Sequence, residues 1–418
     1  MAQKLTSLHP DQEISLKKPV GLKRQLTLFQ ITAAGVGVIL GAGIYALIGA
    51  ASGYSGNAVW ISFFIASFVA ALTGLSYAEL SSMYTDDSGE FRYVGKAFGR
   101  KLGIFAGFAI MFSGISTAAA VALSFGGYLS ALINTPVILA AIGSLLLFTL
   151  INYIGIKESI TINIIFTAIE MLGLLIIIGL GISRFGSIDY LAMPNGWTGV
   201  FHSAALIFFA YLGFEEIVKL SEETKKPQRN IPLGLLLAIV ITSVIYMLVA
   251  LSAVSIMPWD QLAASKAPLA DVAATALGPL AFIVLGVIAL FSTANTSLMS
   301  LISESRMMYG LAKRKVLPKM LSTLGKRRTP VFSIFLAFIL AFFLVLIGDI
   351  EIVANIANFC VFIVFILVNA SVIMLRSKAP NTKRKFKIPF NIAGIPVSAV
   401  FGLVASAVLM AYTVLNLF

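Results

Sequence analysis

Gly35, Gly37, Gly41 and Gly43 fall within nine residues, in the middle of the first long apolar stretch of this 418-residue chain. Each interior glycine weakens a helix by up to about 1 kcal/mol relative to alanine. The stretch therefore predicts a helix that unwinds where it lines a cavity instead of lipid. A second interruption is expected in Phe208-Phe209-Ala210-Tyr211-Leu212-Gly213-Phe214-Glu215-Glu216, where two carboxylates follow a lone glycine. Unwinding frees amide N–H groups at one edge of a break and carbonyls at the other, and the half-helix dipoles favour an anion and a cation there. Two such breaks at mid-membrane suit a zwitterion. The alternative for the first stretch is small-residue packing, with Gly37 and Gly41 in GxxxG spacing against a neighbouring helix.

Glu170 is the second chemical feature. It lies ten residues into an apolar run, roughly 15 Å deep at about 1.5 Å per residue. An ionisable residue at that depth costs on the order of 3 kcal/mol even by insertion scales, so it should face protein and be functional. Three readings stand: a carboxyl that loads and releases a proton, an ionised ligand that holds sodium together with Ser292, Thr293 or Ser297, and a permanently protonated acid bonded to a helix 1 carbonyl. Glu215 can bond the freed amides or answer a substrate cation, which makes it a gating residue. Glu216 reads as a packing or network residue, Glu79 as a structural ion pair near an inner helix end, and Tyr211 as either a cavity aromatic or core. Cys360 reads as core.

These residues need a bilayer to position them. The chain is 59% hydrophobic and 11% charged, with a mean hydropathy of +0.97, whereas soluble chains carry roughly 25% charged residues. Eleven apolar runs are long enough to span: helices 1 to 11 at 27–52, 57–81, 102–133, 136–155, 160–183, 199–218, 231–257, 275–303, 330–348, 352–375 and 394–417. Asn230 with Pro232 and Thr329 with Pro330 predict helix starts, and Asn134 and Thr135 before Pro136 a tight turn. Residues 305–321 read as an amphipathic surface helix or a solvated basic loop. With the N-terminal tail in the cytoplasm, 28 of the 30 lysines and arginines fall in cytoplasmic loops and only Arg184 and Lys266 outside. That asymmetry fixes the topology. It also explains the net charge of +12 through the anionic inner leaflet, with no nucleic acid. The first apolar run is too long for a cleaved signal peptide.

Helix 6 begins five spans after helix 1, so a second five-helix unit inserts in the opposite sense. Matched interruptions in two such units mark an inverted-repeat transporter. The expected organisation is a cytoplasmic tail (1–26), a first repeat (27–184), an inverted second repeat (199–375) and an eleventh helix (388–418).

GAGIY (Gly41 to Tyr45), YAEL (Tyr77 to Leu80), FFAYLGFEE (Phe208 to Glu216), SEETKKPQRNIP (Ser221 to Pro232) and SRMMYGLAK (Ser305 to Lys313), in that order, resemble the amino acid, polyamine and organocation transporter superfamily, especially its cationic amino acid transporter-like branch. The resemblance spans helices 1 to 10. It implies an all-α polytopic LeuT-like fold of five plus five inverted helices, here with one additional C-terminal helix. By motif it puts the substrate carboxylate on Gly41, Ala42 and Gly43, and the amino group on carbonyls of Ile39, Phe209, Ala210 and Leu212, with Tyr211 beside them. Two departures stand out. Many relatives have a twelfth helix, and relatives of this branch often carry a lysine, standing in for sodium between helices 1, 5 and 8, where this chain has Glu170.

The expected function is a secondary active amino acid permease in the cell membrane, working by alternating access, proton-coupled or exchanging, with its C-terminus outside. Alternatives are a sensor that binds without translocating and a sodium-coupled symporter. His9 and His202 are the only histidines and Cys360 the only cysteine, which argues against a metal site, a cofactor enzyme and any catalytic residue. A channel would need an open pore. The expected partners are the amino acid, a proton or sodium, and lipid. Oligomeric state is not readable from the sequence.

Overall fold

The computed structural model describes residues 26–84, 89–154, 160–325, 327, 329–392 and 394–417. The expected cytoplasmic tail before Leu26, His9 and Lys157 lie outside the described residues. The described chain is all-α apart from a two-residue hairpin, Asn391–Ile392 against Ile395–Pro396. Each of the eleven expected spans falls on helix. Helix 1 opens with a capping box, in which Thr27 Oγ1 accepts from Gln30 N while Gln30 Oε1 accepts from Thr27 N. Helix 3 (Arg100–Ile133) ends on Asn134 in the left-handed region, the turn expected before Pro136.

Two boundaries differ from the sequence expectation. Helix 7 is Pro227–Ile256, starting a turn earlier than Asn230, because Pro227 occupies the first helical position after a left-handed Lys226 and Pro232 sits inside the first turns. Helix 8 begins at Pro279, where Gly278 (φ 89°) separates it from a distinct helix, Pro268–Leu277. It then runs 35 residues to Lys313. The first part of 305–321 therefore extends helix 8, with Met308 and Leu311 buried, and a short 3-10 turn, Lys319–Ser322, follows. A further helix in the loop after helix 2, Gly89–Phe98, was not expected.

Helix 7 lies along helix 1 and helix 2 (Val59–Met83), helix 8 along helix 3, and helix 10 (Ile350–Lys378) along helices 3 and 11 (Val397–Leu417). Outward-facing leucines and phenylalanines such as Leu139, Leu150, Leu172 and Phe343 are more than half exposed. They form the apolar skin that lipid must cover.

At the basic end of helix 2 the expected ion pair is present and is larger than a pair. Glu79 accepts from Arg376 Nη2 (2.6 Å), Arg376 Nε (3.0 Å) and the amide of Ile388 (2.9 Å), and Arg384 Nε lies 3.1 Å away. Nη2 of Arg384 caps the C-terminus of helix 10 by donating to the carbonyls of Leu375 and Ala379, so the second guanidinium answers the helix dipole as well as Glu79. All three side chains are buried. Removing one member of a buried network costs about 3–5 kcal/mol because it strands the others. Glu79→Gln is therefore expected to lower the thermal unfolding temperature of the purified protein markedly, and Glu79→Gln with Arg376→Gln to recover part of the loss. Unfolding curves that superimpose on the parent would contradict this.

Candidate functional site

Helix 1 is in two pieces, Leu28–Ile39 (1a) and Gly43–Ser55 (1b), joined by the non-helical Leu40-Gly41-Ala42. Of the four glycines, Gly35 and Gly37 remain inside 1a, where close packing explains them. A Cβ on Gly37 would collide with Thr167 of helix 5, and one on Gly35 with Ile217. The packing reading thus holds for Gly37, whereas Gly41 and Gly43 belong to the break. A Cβ on Gly43 would run into the backbone of Ala210, so glycine there lets the two interrupted helices touch main chain to main chain.

Helix 6 is also broken. Gly196–Ile207 (6a) tightens into a 3-10 turn, Phe208–Tyr211. Leu212 is extended, Gly213 takes φ 111°, and Phe214–Glu223 (6b) resumes as a 3-10 helix. Glu215 Oε2 accepts from the amide of Gly213 at 3.0 Å. The carboxylate therefore caps the start of 6b, the first of its two expected roles.

The polar groups freed by the breaks are met by two hydroxyls. Tyr246, in the middle of helix 7, directs its hydroxyl at the carbonyl of Ile39 (2.5 Å) and at that of Ala210 (3.1 Å). Thr296 Oγ1 of helix 8 accepts from the amide of Ala42 at 3.1 Å. A fully buried tyrosine hydroxyl thus sits between one carbonyl from each break, and a threonine oxygen sits on the amide side of the first. Leaving such groups unmet in a bilayer would cost about 1–3 kcal/mol each.

The remaining expected residues are distributed around this pair. The Phe209 carbonyl accepts from Leu212 N within the turn. The Tyr211 hydroxyl donates to the carbonyl of Phe63, and its ring packs edge-on against Tyr246 and tilted against Phe208. This is the core reading of Tyr211. Glu170 of helix 5 (Ile160–Gly181) is fully buried. Its Oε1 accepts from Asn295 Nδ2 at 3.4 Å, its Oε2 has no hydrogen-bond partner among the described residues, and its own carbonyl accepts from Tyr45 of helix 1b at 2.8 Å. Tyr128 of helix 3 donates to the carbonyl of Tyr45.

Among the three hydroxyls expected to join Glu170 in holding a cation, Thr293 bonds its own helix at Ala289 and Leu290, and Ser297 donates to the carbonyl of Ala118 on helix 3. Ser292 is buried beside Glu170, and it lies about one turn from Asn295 on the same face of helix 8. Tyr246, Thr296 and Asn295 were not singled out from the sequence. The polar run Ser292-Thr293-Ala294-Asn295-Thr296-Ser297 within an apolar helix was the available signal for two of them.

The sequence profile described as amino acid permease matches residues 26–417. The branched-chain amino acid permease BcaP of Bacillus subtilis (strain 168) is 28% identical over 90% of this chain and 85% of its own length. The methylthioribose transporter of the same organism is 30% identical over 89% of this chain and 86% of its own. The vacuolar cationic amino acid transporter 4 of Arabidopsis thaliana is 28% identical over 87% of this chain and 65% of its own. With a broken-helix pair at its centre and a family match that runs almost from end to end, this multi-pass membrane protein belongs to the amino acid permease family.

Proposed function

We propose that this secondary amino acid transporter works by alternating access. Its cargo is held between the interruptions of helices 1 and 6, in a frame of two inverted five-helix repeats (27–184 and 199–375) followed by an eleventh helix. The N-terminus is cytoplasmic and the C-terminus lies on the opposite face of the cell membrane. The carboxylate binds the amides of Gly41, Ala42 and Gly43, and the ammonium binds the carbonyls of Ile39 and Ala210, with those of Phe209 and Leu212 beside them. One observation carries this reading. The Tyr246 hydroxyl already bridges the two carbonyls and the Thr296 oxygen already holds an amide of the glycine link. These side chains make the same two kinds of bond as the poles of the amino acid, and the arriving zwitterion displaces them.

Glu170 carries the coupling proton. Helices 1, 5 and 8 bring no lysine or arginine to its depth, and the side chains beside it, Asn295 at 3.4 Å and Ser292, are neutral. A charge placed there has no compensating partner in this conformation. A proton that binds when one face opens and leaves when the other does would tie helix 5 to helix 1b through Tyr45. The sodium reading is the second one, since Thr293 and Ser297 donate to carbonyls and keep the oxygen lone pairs that would ligate a cation.

In proteoliposomes, Glu170→Gln, which fixes the protonated form, is expected to abolish accumulation driven by an inward proton gradient while leaving exchange of internal for external amino acid intact. Gradient-driven uptake at the parent's rate would remove Glu170 from coupling, and acceleration of that uptake by sodium would favour the ion reading. For the stand-in role, Tyr246→Phe removes the internal competitor. The empty protein is expected to lose about 1–3 kcal/mol of stability, while the apparent substrate KM falls several-fold and saturating amino acid restores the unfolding temperature. A KM that rises while stability stays unchanged would make Tyr246 a direct substrate contact instead.

A further inference from the structure

We propose that the loop after helix 8 is a binding surface for anionic phospholipid, and that headgroups held there fix the basic ends of helices 4, 8 and 9. From Lys313 to Arg328 the chain has seven lysines and arginines and no aspartate or glutamate, interleaved with Val316, Leu317, Met320, Leu321 and Leu324. The other basic segments carry counter-charges of their own. Arg376 and Arg384 meet Glu79, Glu222 and Glu223 belong to the 219–229 loop, and Glu90 precedes Arg92.

The structure sorts the two kinds of side chain in this loop. Helix 8 ends at Lys313, Lys315 turns the chain with φ 60°, and Lys319–Ser322 forms the 3-10 turn. Leu321 is buried, and its carbonyl accepts from Ser333 Oγ of helix 9 (Val331–Val345) at 2.9 Å. Gly325 lies against Val331, where an added Cβ would come within 2.5 Å of that side chain. Thr329 Oγ1 donates to the carbonyl of Tyr153, in the last turn of helix 4 (Val137–Ile154), at 3.2 Å. The loop is thus fastened to the ends of helices 4 and 9 and is not a free solvated strand.

What it leaves outside is amphipathic. Met320 (56%) and Leu324 (51%) are exposed, as are Ile154, Phe332 and Phe335 on the two helices to which the loop is fastened. Lys313, Lys315, Lys319 and Arg327 are exposed with them. The Arg327 guanidinium lies over the Tyr153 ring, 5.9 Å from its centroid, and a tyrosine that ends a span sits at the level of the headgroups. Apolar side chains at the acyl boundary beside cations at headgroup depth fit an anionic bilayer surface. Each lysine or arginine there strengthens the attraction by about fivefold. Helix 8 also carries Asn295 and Thr296, so a lipid that fixes its end bears on the helix that touches Glu170 and the glycine link.

The test is lipid binding to the purified full-length protein in detergent, read by native mass spectrometry and by thermal unfolding, with phosphatidylglycerol, phosphatidylcholine and glycerol phosphate as probes. Phosphatidylglycerol is expected to bind about tenfold more tightly than phosphatidylcholine and to raise the unfolding temperature, while glycerol phosphate does neither. Lys319→Gln with Arg327→Gln is expected to weaken phosphatidylglycerol by about tenfold or more, whereas Lys225→Gln with Arg229→Gln, on another exposed basic loop, leaves it within about twofold. With the unmodified protein, salt at about 0.5 M is expected to erase the preference. Equal binding of the two lipids would overturn the proposal, as would a preference that survives the first pair of substitutions or the added salt. An equal effect of glycerol phosphate would also overturn it, because the surface would then take soluble phosphate compounds and not a bilayer. Equal weakening in both variants would mean that net charge alone attracts the lipid, and the loop would be no site. Substrate uptake enters none of these readouts, so each of these failures leaves the permease reading intact.

Discussion

A main-chain polar group inside a bilayer must have a partner, and this protein has deliberately few ways to supply one. Where helices 1 and 6 are interrupted, their amides and carbonyls lose the partners that a continuous helix would give them. Tyr246 and Thr296 supply replacements from helices 7 and 8. The glycines make the arrangement sterically possible. Gly43 lets 1b meet Ala210 without a side chain between them, and Gly213 adopts a backbone angle that other residues rarely take. Everything proposed about transport depends on this exchange of partners, because side chains that hold these groups can be replaced by a molecule that offers the same two kinds of bond.

The coupling and locking elements are arranged around that centre. Tyr45 joins helix 1b to the backbone of Glu170, and Asn295 joins the carboxyl of Glu170 to helix 8. Thr296, the next residue, holds the glycine link. Adjacent residues on helix 8 thus touch the ionisable group and the proposed substrate-binding backbone, which gives a short physical route by which occupancy of one can bias the other. The Glu79 network sits at the far basic end and ties helix 2 to helix 10 and to the segment after it. It anchors the ends of the helices whose middles surround the site.

Much of this was legible in the sequence. The breaks could be read from four close glycines and from a glycine followed by acids, because glycine is a local property of the chain. Glu170 could be read from depth alone, since an ionisable residue halfway through an apolar helix has few innocuous explanations. The helices could be counted because a bilayer imposes length and hydropathy on every span.

The partners were harder to see. Helix 7 is apolar on most sides and the polar run of helix 8, Ser292 to Ser297, goes all round it, so neither sequence says which face turns inward, and the meaning of Tyr246, Asn295 and Thr296 depends on that rotation. Tyr211 could be read only as cavity aromatic or core for the same reason: its backbone belongs to the break while its ring packs between helices 2 and 7. The start of helix 7 was misplaced because two prolines compete for the role and the earlier one, Pro227, takes it. The most direct test of the central claim is binding of amino acid analogues that lack one pole at a time, measured on the purified protein by calorimetry against the parent amino acid. If main-chain groups at both breaks grip the two ends, the methyl ester and the N-acetyl derivative each lose binding by two orders of magnitude or more. Near-parent affinity for either analogue would mean that one of the breaks does not hold the substrate.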